Sequence, residues 1–511
     1  MRLEGRTLFP NEPFRPVEDT RLTPSPADNF IMNVAIASVG LATAQGGASD
    51  IVEGAALRPP AGLPWAAAKR TTCQSSFQAA GVEPSLGGRD RWSALAVKAL
   101  ADCFGGNPPS AGTPLLVASC NGAAAGFDAD VWRHAFDAQT LLKGAALTSK
   151  NRPVFSASCN SGLQALFIAK LLLLTGYSDD VIVLAADILA PASHDNFEVL
   201  RVLSDTPAPW QHASGGFILG EAAVALHLVR TRHAEGAPCL DGPVLGSDLE
   251  GFDGLSAVLS GLRLERLKLV LGQGTGPFQS DELELAALRA AAGETIPLAT
   301  PLAHFGHTLG ASSLLSVALA ALAWKSTEPL PALSMPAPSA VDGRPLFDGS
   351  ALGGDALVTC RALSGACAAV GVGSSAMLRT QQSRRWHLAR GHGVLMHRTL
   401  RQIAAEAVSR RPRVAPDILV VRMDAPLLPD ERASIGGRLL PSAVLELTPG
   451  FVPQLIARCW GFTGGALCLV GDADGDTDES EILEACKESG LIVSRILLRG
   501  GGDDRAVEWD D

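Results

Sequence analysis

The sequence predicts an α/β protein in which two similar halves follow each other along 511 residues. Continuous apolar segments, such as 181–186, alternate with helical patterns, such as 90–103, and this alternation is typical of a sheet covered by helices on both faces. The pattern restarts near residue 240 and ends near residue 380. We therefore predict layered helices and mixed sheets in two halves, 31–240 and 241–380.

The spacing of apolar residues predicts the elements of the first half. In chain order these are a strand from Asn33 to Val39, a helix from Asp90 to Cys103, a strand from Pro114 to Ser119, a helix that starts just after Cys159, a strand from Val181 to Asp187, and a turn and strand from Gly216 to Leu228.

The second half repeats this alternation. Its predicted elements are a strand from Lys268 to Leu271, an acidic helix from Asp281 to Ala292, a helix from Ser312 to Ala323, and a glycine-rich segment from Ala368. Around the two halves we predict an irregular N-terminal arm (1–30), a linker (381–400), a small C-terminal α/β region of unknown role (401–495) and a disordered acidic tail (496–511).

Charge and cysteine usage restrict the possible functions. The net charge of −11 argues against a nucleic-acid partner, because phosphate binding needs a basic face. The ten cysteines include no C-x-x-C pair, so we expect neither a metal site nor disulfides. The N-terminus does not look like a signal peptide, and the apolar run from Leu163 to Leu174 is too short to span a bilayer. We therefore expect a cytoplasmic protein without a membrane partner.

Cys159 is the leading candidate for a nucleophile. It ends a stretch of small residues, and Asn160-Ser161-Gly162 follows before an apolar helical pattern. A thiol at the start of a helix lies near unpaired N–H groups and the positive end of the helix dipole, which favour a thiolate. A buried structural cysteine is the alternative for an isolated residue of this kind.

Seven segments in chain order resemble motifs of the β-ketoacyl synthase family. They are Asp90–Ala96, Ser158–Gly162 around the nucleophile, Phe197–Ser204, Gly216–Ala223, Gly272–Gly276, Gly306–Ala311 and Val370–Ser374. The resemblance as a whole extends over residues 31–380. The resemblance implies a thiolase-like fold. It also implies a homodimer, or a heterodimer with another ketosynthase-like subunit. Residues 439–472 faintly resemble part of another such N-terminal half.

The resemblance also implies roles for individual residues. Cys159 would accept an acyl group from a phosphopantetheine arm of an acyl carrier protein or from coenzyme A, with no bound cofactor. The backbone N–H groups of Cys159 and Val372 would form the oxyanion hole. His307 would lie close to the thiol or donate to the thioester oxygen of the second substrate. Phe197 and Val370 would line the acyl pocket.

Two positions depart from the family pattern. Gln273 stands in place of the first catalytic histidine, and Leu302 stands where a lysine is usual, at a position that we also assign to the substrate pocket. Gln273 can donate a hydrogen bond but cannot take up a proton or carry charge. Valine at 370 and 372, where the family has phenylalanine, either enlarges the pocket or reflects a change in packing.

Three hypotheses about function remain open. The first is a synthase that condenses the acyl group with a malonyl-type extender, in polyketide or specialised fatty acid biosynthesis. The second is an acyltransferase that works without decarboxylation, which the changes at Gln273 and Leu302 favour. The third is a non-catalytic partner subunit similar to a chain-length factor, against which the retained Cys159 argues.

Overall fold

The structure is a computed structural model that describes most of the chain between residues 32 and 510. The described residues are 32–65, 73–83, 85–106, 112–124, 135–136, 142, 153–206, 208–211, 215–232, 236–248, 253–260, 266–336, 339–374, 398–412, 414–424, 426–427, 434–435, 438–439, 448–471, 479–499 and 506–510. The predicted N-terminal arm and most of the predicted linker lie outside them.

The elements of the first half agree with the prediction to within a few residues. The strands are β1 (Asn33–Ala42), β2 (Ala61–Gly62), β3 (Ser75–Phe77), β4 (Leu115–Ala118), β5 (Val154–Phe155), β6 (Asp180–Asp187), β7 (Leu219–Gly220), β8 (Ala222–Thr231) and β9 (Cys239–Ser247). The helices are α1 (Ala48–Val52), α2 (Gly88–Cys103), α3 (Ser161–Leu174) and α4 (Pro191–Leu200).

The second half has the same alternation of strands and helices. Its strands are β10 (Leu267–Leu271), β11 (Leu298–Ala299), β12 (Ala340–Val341), β13 (Arg344–Pro345), β14 (Asp355–Arg361) and β15 (Ala366–Gly373). Its helices are α5 (Asp253–Ser260), α6 (Phe278–Ala292), α7 (Leu302–Phe305) and α8 (Ser312–Lys325), with 3₁₀ turns at Leu309–Ala311 and Pro331–Leu333.

The C-terminal region adds strands and helices of its own. They are α9 (Arg398–Ser409), β16 (Ile418–Met423), β17 (Ser434–Ile435), β18 (Arg438–Leu439), α10 (Phe451–Trp460), β19 (Gly465–Val470), α11 (Ser480–Glu488), β20 (Val493–Arg499) and β21 (Ala506–Asp510). The predicted acidic tail is therefore wrong as a disordered segment, because β21 pairs antiparallel with β20.

One mixed sheet of fourteen strands runs through all three parts of the chain, as far as the described residues show. Its order is β11-β10-β14-β15-β9-β1-β8-β6-β4-β5-β19-β16-β20-β21. The antiparallel pair of β15 and β9 joins the two halves, and the antiparallel pair of β5 and β19 joins the C-terminal region to the first half. This sheet confirms the predicted mixed α/β class.

Helices α3 and α8 lie in the interior and position the site. Both are rich in leucine and alanine on every side, and a helix that is apolar all round is stable only when it is buried all round. They pack against each other, α3 also against β6 and β9, and α8 also against β14 and β15. No helix in the described parts of the chain is both long and apolar enough to cross a membrane.

Candidate active site

Cys159 lies in a sharp turn between β5 and α3. Ser158 has a left-handed backbone, with φ of 55°, which is uncommon for a residue with a side chain. The hydroxyl of Ser161 closes the turn, because it accepts the backbone N–H of Ala157 and donates to the carbonyl oxygen of Ser158 at 2.6 Å. Helix α3 then begins at Ser161, as the sequence predicts. The turn holds the thiol at one fixed place before the helix.

The imidazole of His307 faces this thiol. Its Nε2 atom lies 3.1 Å from Cys159 Sγ, and both side chains are buried. The backbone N–H of His307 donates to the carbonyl oxygen of Ile218, and its own carbonyl oxygen accepts the N–H of Gly220, so His307 is held along β7. The structure thus brings together the two residues that the motif order places in one site.

The proton on His307 can be assigned from the other ring nitrogen. The backbone N–H of Leu309 donates to Nδ1 at 3.3 Å, so Nδ1 carries no proton and Nε2 does. Burial lowers the pKa of His307 to about 4, which keeps the ring neutral near pH 7. His307 therefore presents an N–H donor to the sulfur.

The charge state of Cys159 differs from the prediction. Burial raises the pKa of its thiol to about 12, although a hydrogen bond with the backbone of Cys159 lowers it and the start of α3 favours a thiolate. The resting residue is therefore a thiol near pH 7. In the described structure His307 Nε2 lies within hydrogen-bond distance of this sulfur, and its N–H would stabilise a thiolate there.

Two phenylalanines enclose His307. The ring of Phe217 stacks on the imidazole at 4.6 Å between centroids, and the ring of Phe197 lies 5.9 Å from it. Phe197 comes from α4 and lines a narrow cavity together with Cys159. The structure thus places Phe197, one of the predicted pocket residues, in the same cavity as Cys159.

Asp187 was not predicted as a site residue, although it links the segments around the nucleophile. Its buried carboxylate accepts the hydroxyl of Ser119 at 2.8 Å and the backbone N–H groups of Cys120 and Gly310 at 2.8 and 2.7 Å. Burial raises its pKa to about 7, and these hydrogen bonds oppose the shift. The only hint in the sequence is the position of Asp187 at the end of a buried strand.

Gln273 follows β10 and is held by the end of β14. Its Oε1 accepts the backbone N–H of Arg361 at 2.9 Å, and its Nε2 donates to Cys360 Sγ at 3.4 Å. Gln273 and Leu302 line a second, small cavity together with Cys360. Burial raises the pKa of Cys360. Gly306 and Thr308, which flank His307 in the chain, also line this cavity.

Val370 and Val372 lie in a strand and not in a loop. Both are buried within β15, and β15 pairs on both sides, with β14 and with β9. The described residues that line the Cys159 cavity instead include Leu363 and Ser364, from the loop between β14 and β15. A central strand engages the backbone of Val372, which contradicts its assignment to the oxyanion hole. Val370 is not among the residues that line the described cavity beside Cys159, and its assignment to the acyl pocket stays a prediction. The role of Cys159 in the oxyanion hole also stays a prediction.

Known proteins share part of this sequence and the fold. A family model described as the C-terminal domain of β-ketoacyl synthases matches residues 256–335. No curated protein matches the chain. The ketosynthase ApeO from Xenorhabdus doucetiae, solved in complex with its chain length factor ApeC, is 19% identical, with a TM-score of 0.55 over 68% of this chain and 100% of that one.

Two further solved structures define how far the similarity extends. A β-ketoacyl synthase from Burkholderia phymatum STM815 is 18% identical, with a TM-score of 0.55 over 67% of this chain and 99% of its own. The PfaC ketosynthase–chain length factor is 12% identical, with a TM-score of 0.65 over 92% of this chain and 74% of its own. These similarities confirm the predicted thiolase-like fold. Within this fold, residues 256–335 also match the C-terminal domain of β-ketoacyl synthases in sequence.

Proposed function

We propose that the chain is an acyltransferase that forms a thioester on Cys159 and condenses the acyl group with a malonyl-type extender. The observation that carries this proposal is the 3.1 Å approach of Cys159 Sγ to His307 Nε2 in a buried site. A cysteine suits the reaction because its sulfur is both a nucleophile and a leaving group. Cys159 comes from the first half of the fold and His307 from the second, as the family resemblance implies.

The first step is transfer of the acyl group to the enzyme. Cys159 Sγ attacks the acyl carbonyl carbon of a thioester, the bond from that carbon to the carrier sulfur breaks, and the carrier thiol leaves with the proton of Cys159. The donor is an acyl carrier protein or coenzyme A. One structural neighbour is a type II polyketide synthase acyl carrier protein in complex with its ketosynthase, which supports this class of partner.

The second step is condensation. The malonyl thioester loses carbon dioxide, its α-carbon attacks the acyl carbon on Cys159, and the cysteine sulfur leaves with the electron pair of the broken bond. The N–H at His307 Nε2 donates to the thioester oxygen on which negative charge develops. The products fit polyketide or specialised fatty acid biosynthesis, and the chain needs no bound cofactor for either step.

A second candidate is acyl transfer without decarboxylation. The side-chain amide of Gln273 already bonds Cys360 and Arg361, and Leu302 supplies no charge. Among these predicted positions, only His307 bonds the thiol directly. An acceptor other than an enolate, such as an alcohol or an amine, would need no more than this one donor.

Intact-protein mass spectrometry with acyl-carrier and coenzyme A thioesters tests both candidates. The Cys159→Ala variant should lose the acyl adduct, whereas Cys120→Ala should keep it. Cys120 lines the same cavity, but its thiol donates to Asn121 Oδ1, whereas the thiol of Cys159 faces His307. Discharge of the adduct by malonyl carrier, with release of carbon dioxide, would support condensation. An adduct that malonyl carrier leaves intact would favour the second candidate. No adduct with any donor would contradict both and favour a partner subunit.

A further inference from the structure

The C-terminal region repeats the strand pattern of the first half. In the first half, β4 lies between the parallel strands β5 and β6, and β8 pairs antiparallel with β6. In the C-terminal region, β16 lies between the parallel strands β19 and β20, and β21 pairs antiparallel with β20. The two sets of strands also occur in the same order along the chain.

The two sets of strands lie side by side in the sheet, and their order across it is reversed. Read across the sheet, the order is β8-β6-β4-β5 followed by β19-β16-β20-β21, so the second set is the mirror order of the first. The central pair, β5 and β19, is antiparallel. This arrangement has the approximate two-fold symmetry of an interface between two identical subunits, built within one chain.

The junction between the two sets is closely bonded. The amide of Gln164, on α3, donates from Nε2 to the carbonyl oxygen of Ala466 at 2.7 Å and accepts the N–H of Cys468 at Oε1, at 3.0 Å. The backbone N–H of Ser156 also donates to the carbonyl oxygen of Cys468. Strand β5 is therefore no longer an open edge available to a second chain.

The same junction reaches the nucleophile. A Cβ atom added at Gly450 would lie 2.7 Å from the Cα of Ala157, so the loop before α10 runs against the turn that holds Cys159. Thr448, two residues earlier in that loop, lines the cavity of Cys159 together with Phe197 and Leu363. The C-terminal region thus forms part of the wall of the site.

The comparisons distinguish this region from the rest of the chain. ApeO and the Burkholderia enzyme match along 99–100% of their own length but cover only 67–68% of this chain. The PfaC ketosynthase–chain length factor covers 92% of it. The C-terminal region therefore shares its fold with a protein that contains more than a single ketosynthase.

We infer that residues 398–510 act as a built-in partial second subunit, which covers β5 and, through Thr448, limits the length of the acyl group that Cys159 accepts. This inference rests on the proposed function for the identity of the acyl group. The size limit itself concerns access to the thiol and can be measured without any acyl transfer.

The test uses the full chain and thiol reagents of two lengths, methyl and octyl methanethiosulfonate. Both form a disulfide with a cysteine, and the rate at Cys159 is obtained by mass spectrometry, with Cys159→Ser subtracted. We expect Thr448→Trp to lower the octyl rate at least tenfold relative to the methyl rate. The control Val414→Trp, at an exposed side chain of the same region, should leave the ratio within twofold of the unaltered chain.

An unchanged ratio in Thr448→Trp, at a methyl rate equal to that of the unaltered chain, would overturn the inference. If the tryptophan variant does not fold, as judged by its thermal unfolding, Thr448→Leu makes the same comparison with a smaller side chain. Acyl thioesters of the same two lengths are then tested on the unaltered chain. Their failure to react would contradict the proposed function, while the reagent ratio would still decide the role of Thr448.

Discussion

Asp187 accepts the backbone N–H of Gly310 at 2.7 Å and so joins the end of β6 to the turn that follows His307. The same carboxylate holds the segment after β4 through Ser119 and Cys120. A single buried carboxyl group therefore fixes the two loops on either side of Cys159. Its pKa gives this arrangement a dependence on pH.

We expect the Asp187→Asn variant to lose part of the pH dependence of stability. Burial raises the pKa of Asp187 from 3.8 to about 7, so the folded protein holds a proton that the unfolded chain releases in this range. Asp187 therefore contributes to the free energy of unfolding below its unfolded-chain pKa of 3.8. This contribution is lost as pH rises through about 7, by up to about 1.4 kcal/mol per pH unit.

The measurement is the free energy of unfolding by urea at acid and at slightly alkaline pH. Stability of the unaltered chain should fall more between the two than that of Asp187→Asn. The surface variant Asp90→Asn serves as the control, because that side chain is exposed. Equal pH dependence in Asp187→Asn and the unaltered chain would show that the carboxyl titrates normally.

The pH profile of Cys159 alkylation should show no inflection near neutrality. With its pKa raised to about 12 and that of His307 lowered to about 4, neither group titrates in that range. The rate of reaction with iodoacetamide should therefore rise about tenfold per pH unit between about pH 6 and pH 9. A plateau above neutral pH would instead indicate a preformed thiolate–imidazolium pair.

The donor at His307 Nε2 should control the same rate. His307→Leu removes a hydrogen bond to a developing thiolate, worth about 1.5–3 kcal/mol, so alkylation of Cys159 should slow by about 10- to 150-fold. His307→Gln keeps an N–H donor and should recover part of the loss. If the leucine variant reacts as fast as the unaltered chain, the thiol does not depend on this donor.

The sequence allowed the pair of Cys159 and His307 to be predicted because short motifs fix both residues locally. The turn before α3 and the segment after Gly306 each depend on a few neighbouring residues. The roles of Val370 and Val372 could not be judged in this way. Their valine–glycine alternation looks like a glycine-rich loop, and only pairing with two distant strands shows that it is the middle of a sheet.

Long-range contacts explain the other omissions. The partners of Asp187, Cys120 and Gly310, lie 67 and 123 positions away in the chain. The residues next to an aspartate at the end of a buried strand do not indicate which distant N–H groups it binds. For the C-terminal region, the alternation of apolar segments predicts strands and helices. It does not reveal which sheet edge the strands join, so the antiparallel pair of β5 and β19 could not be foreseen.

Gly306 should tolerate alanine much less well than Gly293. Both have nearly the same backbone, with φ of 69° and 70° and ψ near 180°, in a region that is essentially restricted to glycine. A Cβ at Gly306 would lie 2.8 Å from the carbonyl oxygen of Ile218, whereas nothing lies within 4 Å at Gly293. Gly293→Ala should cost about 2 kcal/mol of unfolding free energy from the backbone alone, and Gly306→Ala about 4 kcal/mol, because the close contact adds to the backbone cost.

Urea unfolding of the two variants gives the comparison, and because Gly306 precedes His307, alkylation of Cys159 should slow only in Gly306→Ala. Equal costs for the two variants would mean that the segment before His307 moves away from Ile218 without strain.

Gln164 should be essential for the attachment of the C-terminal region. Gln164→Leu keeps the size of the side chain but leaves the buried carbonyl of Ala466 and the N–H of Cys468 without their partner. Each unsatisfied group costs about 1–3 kcal/mol, so the variant should lose about 2–6 kcal/mol of unfolding free energy. Gln402→Leu, on the exposed side of α9, should lose less than about 0.5 kcal/mol.

Hydrogen exchange locates the effect. In Gln164→Leu, the amides of β19 and α11 should exchange faster, whereas those of β10 and β14, which lie beyond β15 in the sheet, should keep their protection. Because β5 is then exposed as a sheet edge, the variant should also self-associate, as measured by light scattering. Uniformly faster exchange over the whole chain would mean that Gln164 stabilises the common core and not the junction between β5 and β19.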